Sequence, residues 1–567
     1  MHGKTGWGWV VLAGSVGAAQ PPADLVLRHG KVVTVDKARP LATAVAIKGD
    51  RIVGVGSDQE IAAHVGPRTE VIELHGRLAL PGFIEGHGHF LGLGEARMQL
   101  DLTGARSWDD IVAQVAEAAR GARPGAWIRG RGWHQEKWQR RPEPNVDGVP
   151  LHHPLSKVSP ANPVVLTHAS GHALLVNARA LEALGIDRRT PDPPGGQIVR
   201  DAQGEPTGLL RETARDLVRA ALARAEKERP PAEVEANRRR AAELAAAEAL
   251  SKGVTTFHDA GSSFETIDFF RQRADAGQLG VRLYVMVRYA SNDELAEKLP
   301  RYRVVGHAEN FLTVRSIKRQ IDGALGPHGA WLLSPYLDLP TSTGLNLEPP
   351  EVIRRTAQLA LQHGYQLNVH AIGDRANREI LDIYQEAFGD RPDREQLRWR
   401  VEHAQHLDPQ EVPRFKRLGV IASMQGIHAT SDGPWVLKRL GPERAAAGAY
   451  VWRKLLDAGV VVTNGTDCPV EDIDPIASFH ASVTRRTADG GTFYPEQRMT
   501  REEALHSYTL ANAYAAFEED LKGSLTPGKL ADLVVLTEDI LTVPEERIRS
   551  AKVALTVVGG RVAYRRP

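Results

Sequence analysis

The sequence predicts an α/β protein built on a (β/α)8 barrel, with a composite β-sandwich from both chain termini and a large insertion after the first barrel strand. Eight apolar, strand-like segments alternate with helix-like stretches, which is the pattern of an eight-stranded parallel barrel. Short strand-like segments separated by turns occur near both ends of the chain. Residues that can ligate a metal follow several of the apolar runs, at the strand ends where barrels carry their chemistry.

Length and composition favour a large enzyme-sized protein with a small-molecule partner. The chain of 567 residues is long enough for one large catalytic domain and accessory segments. Its 71 Lys and Arg residues balance 70 Asp and Glu residues, so no domain-wide field is available to hold nucleic acid or an acidic membrane. Cys468 is the only cysteine, which excludes an internal disulfide framework and a thiolate zinc site. Whether chains associate as a homo-oligomer stays open.

The first 21 residues have the order of a signal peptide. Lys4 precedes a weakly apolar stretch over residues 7–13, and small residues follow it before Gln20. This order predicts export to the periplasm or beyond. The alternative is an over-extended start on a cytoplasmic enzyme. No later run reaches the roughly 18 apolar residues that a membrane helix requires, so we expect no membrane span and a soluble mature chain.

The two terminal segments resemble each other in texture. Residues 22–80 contain short strand candidates separated by turns that carry Gly and Asp, without a long helix between them. Residues 523–567 repeat this pattern and are broken at Gly559-Gly560. Neither segment can bury a core alone, so we predict that residues 22–80 and 523–567 pair into one β-sandwich.

The predicted barrel occupies residues 81–522. Helix candidates at residues 233–250, 350–363 and 451–458 alternate with its strands. The eight strand candidates run over residues 78–84, 254–258, 281–287, 314–321, 366–370, 399–403, 420–424 and 460–466.

The interval between the first two strand candidates is far too long for one crossover. We therefore predict an insertion over residues 100–215, placed above the barrel mouth as a lid or substrate-selecting element. Within it, Trp133, His134 and Trp138 can form an aromatic wall over the mouth, although a Trp more often packs in a core. Further substrate-binding candidates follow the fourth and seventh strands: His328, Trp331 and His428.

Four histidines have the placement of metal ligands. In an extended segment residues two apart face the same way, so His87 and His89 can reach one ion across Gly88. Alone, this motif also fits an exposed loop. Here His370 and His403 end two further strands, and this joint occurrence predicts a metal site.

Two other residues at strand ends have competing interpretations. Asp467 ends the eighth strand, where its carboxylate can bind the ion and accept a proton; the alternative is an Asx turn or helix cap before Pro469. Lys318 lies in the fourth strand. An inward ammonium group is costly unless paired and repels a metal, so a salt bridge to Asp322 is the simple explanation.

Taken together, these motifs resemble the metal-dependent amidohydrolase superfamily, and in particular its amidohydrolase-3 branch, which includes N-substituted formamide deformylases. The resemblance covers nearly all of the chain after about residue 24. It rests on the ligand set above and on the stretches at residues 81–90, 170–172, 204–210, 317–326, 370–377, 401–405 and 523–536.

The resemblance implies a ligand scheme. Lys318 would be carboxylated and bridge two metals, which removes the charge objection. His87, His89 and Asp467 would hold one metal, and His370 and His403 the other. Such enzymes usually use zinc, as one ion or two. The sequence departs from the superfamily at Glu85, where Asp is more frequent, and in the polar stretch at residues 319–321.

The predicted activity is hydrolysis of a non-peptide C–N bond in an amide or N-substituted formamide. A metal ion makes hydroxide available at neutral pH, and Asp467 would orient it and transfer its proton to the leaving nitrogen. His172, from the insertion, is the candidate oxyanion donor; its alternative role is to cap a turn after Gly171. The same site acting on an ester, peptide or amino-heterocycle is the alternative activity. A non-catalytic barrel scaffold is the least expected.

Overall fold

The computed structural model describes residues 22–227 and 229–567; the predicted signal peptide at residues 1–21 lies outside this part of the chain. Its centre is a sheet of eight parallel strands that are hydrogen-bonded in sequence order. The predicted (β/α)8 barrel is therefore confirmed. The strands are β1 (Phe83–Gly88), β2 (Val254–Ser262), β3 (Arg282–Val287), β4 (Leu312–Gln320), β5 (Gln366–Ala371), β6 (Arg400–His403), β7 (Ile421–Gln425) and β8 (Val462–Gly465).

The last and first strands come together to close the barrel. The Asp467 backbone N–H donates to the His87 carbonyl at 2.8 Å. The Asn512 side-chain amide donates to the carbonyls of Ile84 in β1 and Asn464 in β8, both at 2.8 Å. A Cβ atom at Gly86 would lie 2.4 Å from the Asn464 carbonyl oxygen, so this close approach requires glycine.

The predicted first strand, residues 78–84, is divided between two sheets. Leu78–Pro81 pairs antiparallel with Leu533–Leu536 in a terminal sheet, and the barrel strand begins only at Phe83. Gly82 separates the two segments against Thr255, whose Oγ1 would lie 2.3 Å from a Cβ at this position. An unbroken apolar run does not show where a strand leaves one sheet for another, because both environments are buried.

Both termini contribute to a β-sandwich, as predicted. Its sheets share a core in which Leu27, Val45, Leu533 and Val557 are buried. The larger sheet has the order Arg561–Arg565, Val553–Val558, Leu533–Leu536, Leu78–Pro81, Lys31–Val33 and Leu41–Ala42; the smaller has the order Arg51–Gly56, Ala44–Lys48, Leu25–Arg28 and Glu70–Glu73.

A buried ion pair joins the sandwich to the barrel. The guanidinium group of Arg282 in β3 donates to both carboxylate oxygens of Asp532, at 2.7 and 3.1 Å. Both side chains are almost fully buried. The pair therefore joins the C-terminal segment of the sandwich to the barrel wall.

The long segment between β1 and β2 forms a sheet with an apolar core on each face. Its contacts place it at the barrel mouth: Arg131 donates to the Pro469 carbonyl at 3.1 Å, and Glu136 accepts from Lys438 at 3.0 Å. The strand order is Gly196–Arg200, Pro206–Glu212, Ala173–Val176, Val164–His168, Ile128–Trp133 and Leu100–Asp101. The short pairs Asn145–Val146 with Val149–Pro150, and Val304–Gly306 with β4, complete the strands of the described residues.

Helices cover the outside of the barrel and the insertion. The predicted helix candidates correspond to Pro231–Ser251, Pro350–His363 and Trp452–Asp457, two of which begin with a proline at the first helical position. Within residues 22–227 and 229–567, none of the helices combines the length and apolar character needed to cross a membrane. The other helices are Asp58–Ile61, Phe90–Ala96, Trp108–Gly121, His153–Val158, Ala178–Leu184, Arg215–Lys227, Phe264–Asp275, Asn292–Tyr302, His307–Asn310, Asp374–Phe388, Arg394–Leu397, Val412–Leu418, Gly426–Leu440, Pro442–Gly448, Pro475–Thr484, Arg501–Ser507, Leu510–Ala515 and Glu545–Ile548, with short 3-10 turns at Ala62–His64, Gln135–Lys137 and Pro495–Gln497.

Candidate metal centre and substrate cavity

The barrel brings the predicted ligand residues together at the C-terminal ends of its strands. They line one cavity of about 430 Å³. Five strands deliver them, so residues far apart in sequence share one mouth. The set is His87 in β1, His89 just after it, Lys318 in β4, His370 in β5, His403 at the end of β6 and Asp467 after β8.

The tightest group consists of His87, His403 and Asp467. Each offers a ligand atom, and these atoms lie within 4.8 Å of one another. His87 Nε2 is 3.5 Å from Asp467 Oδ1. Both atoms are buried and have no hydrogen-bond partner among the described residues. Buried polar atoms are normally satisfied, so this set of nitrogen and oxygen donors fits a divalent ion such as zinc.

Neighbouring side chains orient the two imidazoles of this group. His87 Nδ1 lies 2.5 Å from Glu402 Oε2, and His403 Nδ1 lies 2.7 Å from Gln425 Oε1. Each contact engages the outer ring nitrogen and leaves Nε2 for a metal. Burial acts to raise the pKa of Glu402, but the contact with His87, together with the charges of Arg400 and Lys318, outweighs burial and lowers that pKa to about 2. Glu402 is therefore ionised at neutral pH.

Glu85 supports the opposite side of the group. Its Oε1 accepts from the Thr466 backbone N–H at 2.6 Å, and its Oε2 accepts from the Thr466 hydroxyl at 3.0 Å. Thr466 directly precedes Asp467, so the longer Glu side chain at this position still anchors the ligand loop. Burial raises the pKa of Glu85 to about 8, despite these hydrogen bonds.

His89 and His370 stand beside the central group. His89 Nε2 lies 3.2 Å from Asp467 Oδ1. The His370 ring centroid is 4.4 Å from that of His403, and its buried Nε2 lies 3.4 Å from Asp322 Oδ1. The implied ligand scheme assigns His403 to a different metal from His87 and Asp467, whereas the structure groups these three residues together. The division of the ligands between two metals stays a prediction.

Lys318 is buried beside these ligands. Among the described residues, no carboxylate oxygen lies within 4.0 Å of its ammonium nitrogen, so the salt bridge to Asp322 is not formed. Asp322 instead accepts backbone N–H groups of Trp331, Ile372 and Gly373 at 2.8–3.0 Å. Burial, assisted by the nearby Arg288, lowers the pKa of Lys318 to about 8. At pH 7 about one tenth of this amine is thus neutral, far more than for an ordinary lysine.

The backbone at two ligands adopts an unusual conformation. His403 has a φ of 77° and Asp467 a φ of 55°, in the left-handed region that residues other than glycine rarely occupy. Such outliers cost about 1–3 kcal/mol and concentrate at functional sites. The strand ends therefore hold these two side chains in positions that regular extended backbone would not give.

His172 reaches the same cavity from the insertion. Its Nδ1 lies 2.8 Å from Glu212 Oε2, and its ring centroid is 5.3 Å from that of His370. The side chain thus bonds a carboxylate and does not cap the turn after Gly171. Glu212 is fully buried against Gly323 and Gly329, where a Cβ atom would approach its Oε1 to 2.2 and 2.1 Å. Only glycine leaves room for this carboxylate.

The predicted aromatic wall is corrected by the structure. Trp133 and Trp138 are buried in the core of the insertion, with ring centroids 6.0 Å apart, and they do not line the main cavity. Trp133 Nε1 donates to the Leu166 carbonyl at 2.9 Å. The reason is a strand irregularity at Gly132, where φ is 108°: it turns Arg131 to the cavity and Trp133 to the core. Regular alternation would have put both on one face.

Two of the remaining substrate-binding predictions are also wrong. His328 lies 3.1 Å from Asp338 and packs on Tyr336, away from the ligands. Trp331 packs under Arg375, with the guanidinium 4.5 Å from its ring centroid. Both residues lie in the loop after β4, which folds back on itself, and their side chains line neither the main cavity at the barrel mouth nor its narrower branch.

His428 does reach the site, in a narrower branch of about 50 Å³ that continues from the main cavity. It stacks on His403 at 6.4 Å between ring centroids. His134 also lines this branch. The sequence does not mark which loop side chains turn inward, so other lining residues were not predicted. These are Lys137, Leu325, Asp432 and Trp435 in the branch, and Arg131, Arg215 and Arg288 in the main cavity.

Comparison with known proteins agrees with this geometry. The Amidohydro_3 profile, described as the amidohydrolase family, matches residues 70–564. The chain is 33% identical to Protein LONG AFTER FAR-RED 3 of Arabidopsis thaliana over 569 residues, covering 98% of this chain and 94% of the relative. It is 28% identical to N-substituted formamide deformylase of Arthrobacter pascens over 557 residues, covering 96% and 98%.

A solved structure shares the architecture. An uncharacterized metal-dependent hydrolase from Pyrococcus furiosus aligns with a TM-score of 0.68 at 27% identity, and the alignment covers 91% of this chain and 100% of that protein's chain. With the profile match and the relatives, this confirms the predicted resemblance. The chain belongs to the amidohydrolase family, whose enzymes are metal-dependent hydrolases.

Proposed function

We propose that this enzyme hydrolyses a non-peptide C–N bond, in an amide or N-substituted formamide, with zinc as the divalent metal. One observation carries the proposal. The buried atoms His87 Nε2 and Asp467 Oδ1 have no hydrogen-bond partner among the described residues and lie with His403 in a group of metal-ligand size. The name of the Arthrobacter pascens relative, a formamide deformylase, supports this choice of bond.

The ligand residues would hold one or two ions, with His87, His403 and Asp467 at the centre and His89 and His370 beside them. A carboxylated Lys318 would bridge two ions, and its lowered pKa favours the neutral amine that carboxylation requires. When bound, a divalent ion supplies Lewis-acid chemistry: it lowers the pKa of water from about 15.7 towards about 7 and polarises a carbonyl group.

Asp467 is positioned to move the proton of the reaction. Contacts with His89 and other imidazoles outweigh burial and hold the pKa of Asp467 well below its ordinary value, so its carboxylate is ionised and can accept a proton. During attack of water on the carbonyl carbon, Asp467 would take the proton and deliver it to the leaving nitrogen.

His172 would stabilise the oxyanion that develops on the substrate carbonyl. Its Nδ1 is engaged by Glu212, so donation from Nε2 requires the cationic ring. The buried Glu212 carboxylate stabilises that cation, as an acidic partner does for a catalytic imidazole. Glu212 therefore acts through His172 as a positioning residue.

A substrate panel tests the proposal. Purified protein with its metal content measured should hydrolyse amides or formamides in preference to esters, peptides and aminopurines, and lose activity in chelator. Asp467→Asn should cost several orders of magnitude in kcat with a much smaller change in KM. The matched control is Asp472→Asn, because Asp472 bonds Lys252 at the surface. Full activity without metal, or normal turnover of Asp467→Asn, would refute the mechanism.

A further inference from the structure

The main cavity carries an excess of positive charge outside the metal ligands. Its acidic lining consists of Glu95, Asp259 and the ligand Asp467. Asp259 is already engaged, since it accepts from the Phe90 backbone N–H at 2.9 Å and from the Ser262 hydroxyl at 2.6 Å. The basic lining outside the ligands is larger: Arg129, Arg131, Arg215, Arg219 and Arg288.

Three of these arginines have no acidic partner. Among the described residues, no carboxylate oxygen lies within 4.0 Å of the guanidinium nitrogens of Arg131, Arg215 or Arg288. The two other arginines of the lining are compensated. Arg129 lies 3.7 Å from Glu95, and Arg219 lies 2.7 Å from Asp216.

Neutral acceptors hold the three unpaired guanidinium groups in place. Arg131 donates to the carbonyls of Pro469 and Ala169, both at 3.1 Å. Arg215 donates to the carbonyl of Glu212 at 2.8 Å and to that of Gly171. These contacts fix the planes of the groups without cancelling their charge. The hydrogen bonds of these two side chains within the described residues use Arg131 Nε and Nη2 and Arg215 Nε and Nη1, which leaves Arg131 Nη1 and Arg215 Nη2 available to a ligand.

Arg288 is held in the same way. It donates to the carbonyl of Ala260 at 3.5 Å and to the side-chain oxygen of Gln320.

Burial lowers the pKa of Arg131 to about 10 and also lowers the pKa of Arg215, yet Arg131 remains protonated at neutral pH. Arg131, Arg215 and Arg288 are only partly exposed in the cavity wall. A charge that is partly removed from water is costly without a counter-ion, so a cavity with three such groups is prepared for an anion.

The branch on the other side of the ligands has a different character. Its lining includes Leu325, Ile372 and Trp435, together with several imidazoles. His370, His403, Asp467 and His172 line both the branch and the main cavity. The ligand residues therefore stand at the junction of a partly apolar branch and a cationic cavity.

We propose that the substrate is an amide with an anionic group, a carboxylate or a phosphate, on one side of the scissile bond and an apolar group on the other. Arg131, Arg215 and Arg288 bind the anion, and the branch that contains Trp435 binds the apolar group. Guanidinium groups bind both anions through paired N–H donors. This inference rests on the proposed function, whose site it shares.

Binding of compounds that resist hydrolysis tests the inference without turnover. Calorimetry on the metal-replete protein compares N-benzenesulfonylglycine with neutral N-methylbenzenesulfonamide, and N-benzylsulfamoylacetate with neutral N-benzylmethanesulfonamide. The two pairs place the anion on opposite sides of the mimicked bond. The anionic member of at least one pair should bind about 10-fold more tightly or better. A phosphonate analogue of the tighter anion then distinguishes phosphate from carboxylate recognition.

Variants show whether the arginines cause this preference, since a carboxylate can also contact a metal. Arg131→Met and Arg215→Met should each reduce the preference about 10-fold, and Arg215→Lys should restore part of it. Arg219→Met, at a compensated arginine of the same cavity, is the matched control and should change the preference less than about twofold. Circular dichroism and metal content identify any variant that fails to fold, in which case Arg215→Lys carries the comparison.

The two proposals fail in different ways. Equal affinities within both pairs, or an undiminished preference in both Met variants, would overturn the anion inference even if amides are hydrolysed. A preference that depends on the arginines, in a protein that hydrolyses no amide or formamide, would support anion recognition and refute the proposed function.

Discussion

Glu402→Gln should weaken metal binding although Glu402 is not a ligand. Glu402 Oε2 contacts His87 Nδ1 at 2.5 Å, and both side chains are fully buried. The carboxylate requires a proton on Nδ1 and so leaves Nε2 free to coordinate. Glutamine has nearly the same shape but no charge. It can also present its amide N–H to Nδ1, which would shift the ring proton to Nε2.

The size of the effect follows from this contact. Loss of a partner that orients a metal-binding histidine typically lowers metal affinity about 10-fold to 100-fold, or about 1.4–2.8 kcal/mol. A charge-assisted hydrogen bond is about twice as strong as a neutral one, and this one is buried, which favours the upper part of that range. We therefore expect a loss of at least about 10-fold.

The loss should not vary across neutral pH. The folded-state pKa of Glu402, about 2, lies below its ordinary value. The stabilisation of the folded site by the carboxylate charge is therefore present above that ordinary value and disappears as the pH falls through about 2. Between about pH 6 and pH 8 the carboxylate stays ionised. A fold-loss that changed with pH in this interval would point to a different group.

Competition with a chromophoric chelator measures the zinc affinity of the wild type and of Glu402→Gln. Glu519→Gln is the matched control, because Glu519 pairs with Arg398 at 2.7 Å and does not line the cavity. It should bind zinc like the wild type. A dissociation constant of Glu402→Gln within about twofold of the wild-type value would refute the reasoning.

Four further changes have distinct expected outcomes. Lys318→Ala should empty at least one metal position in elemental analysis; intact metal content would contradict a bridging role. His172→Ala should lower kcat about 10²-fold to 10³-fold, and unchanged turnover would exclude an oxyanion donor. Trp133→Ala should lower the free energy of unfolding by about 3–5 kcal/mol in denaturant with metal retained; altered substrate choice at wild-type stability would contradict its core position. Asp532→Asn leaves the buried Arg282 without its counter-ion and should lower the free energy of unfolding by about 3–5 kcal/mol; an unchanged value would show that the pair is dispensable.

The barrel could be predicted because parallel strands are buried on both faces. Every residue of β5 and β7 is buried, so such strands appear in the sequence as short apolar runs of the right spacing. The same property hides boundaries between sheets. Leu78–Pro81 belongs to the sandwich and Phe83–Gly88 to the barrel, yet both are buried throughout, and only the packing of Gly82 on Thr255 marks the change.

The metal ligands were visible in the sequence and their supporting residues were not. His87 and His89 share a face through simple strand periodicity, which a short motif displays. Glu402 acts on His87 across 315 positions of the chain, so only the closed barrel brings them together. Trp133 was misplaced for a local reason, since the irregularity at Gly132 reverses the side chains that follow it.

The structure separates the residues that hold a metal from those that choose a substrate. All the candidate ligands come from the barrel strands or from positions directly after them, whereas Arg131, His172 and Arg215 come from the segment between β1 and β2. The contact from Arg131 to the Pro469 carbonyl, two residues beyond Asp467, joins the two parts. Changes elsewhere in that segment can therefore reshape the cavity without moving a ligand. Arg131 contacts the loop that carries Asp467 through a backbone carbonyl and not through a ligand side chain, so Arg131→Met should weaken anion binding while the metal content is retained.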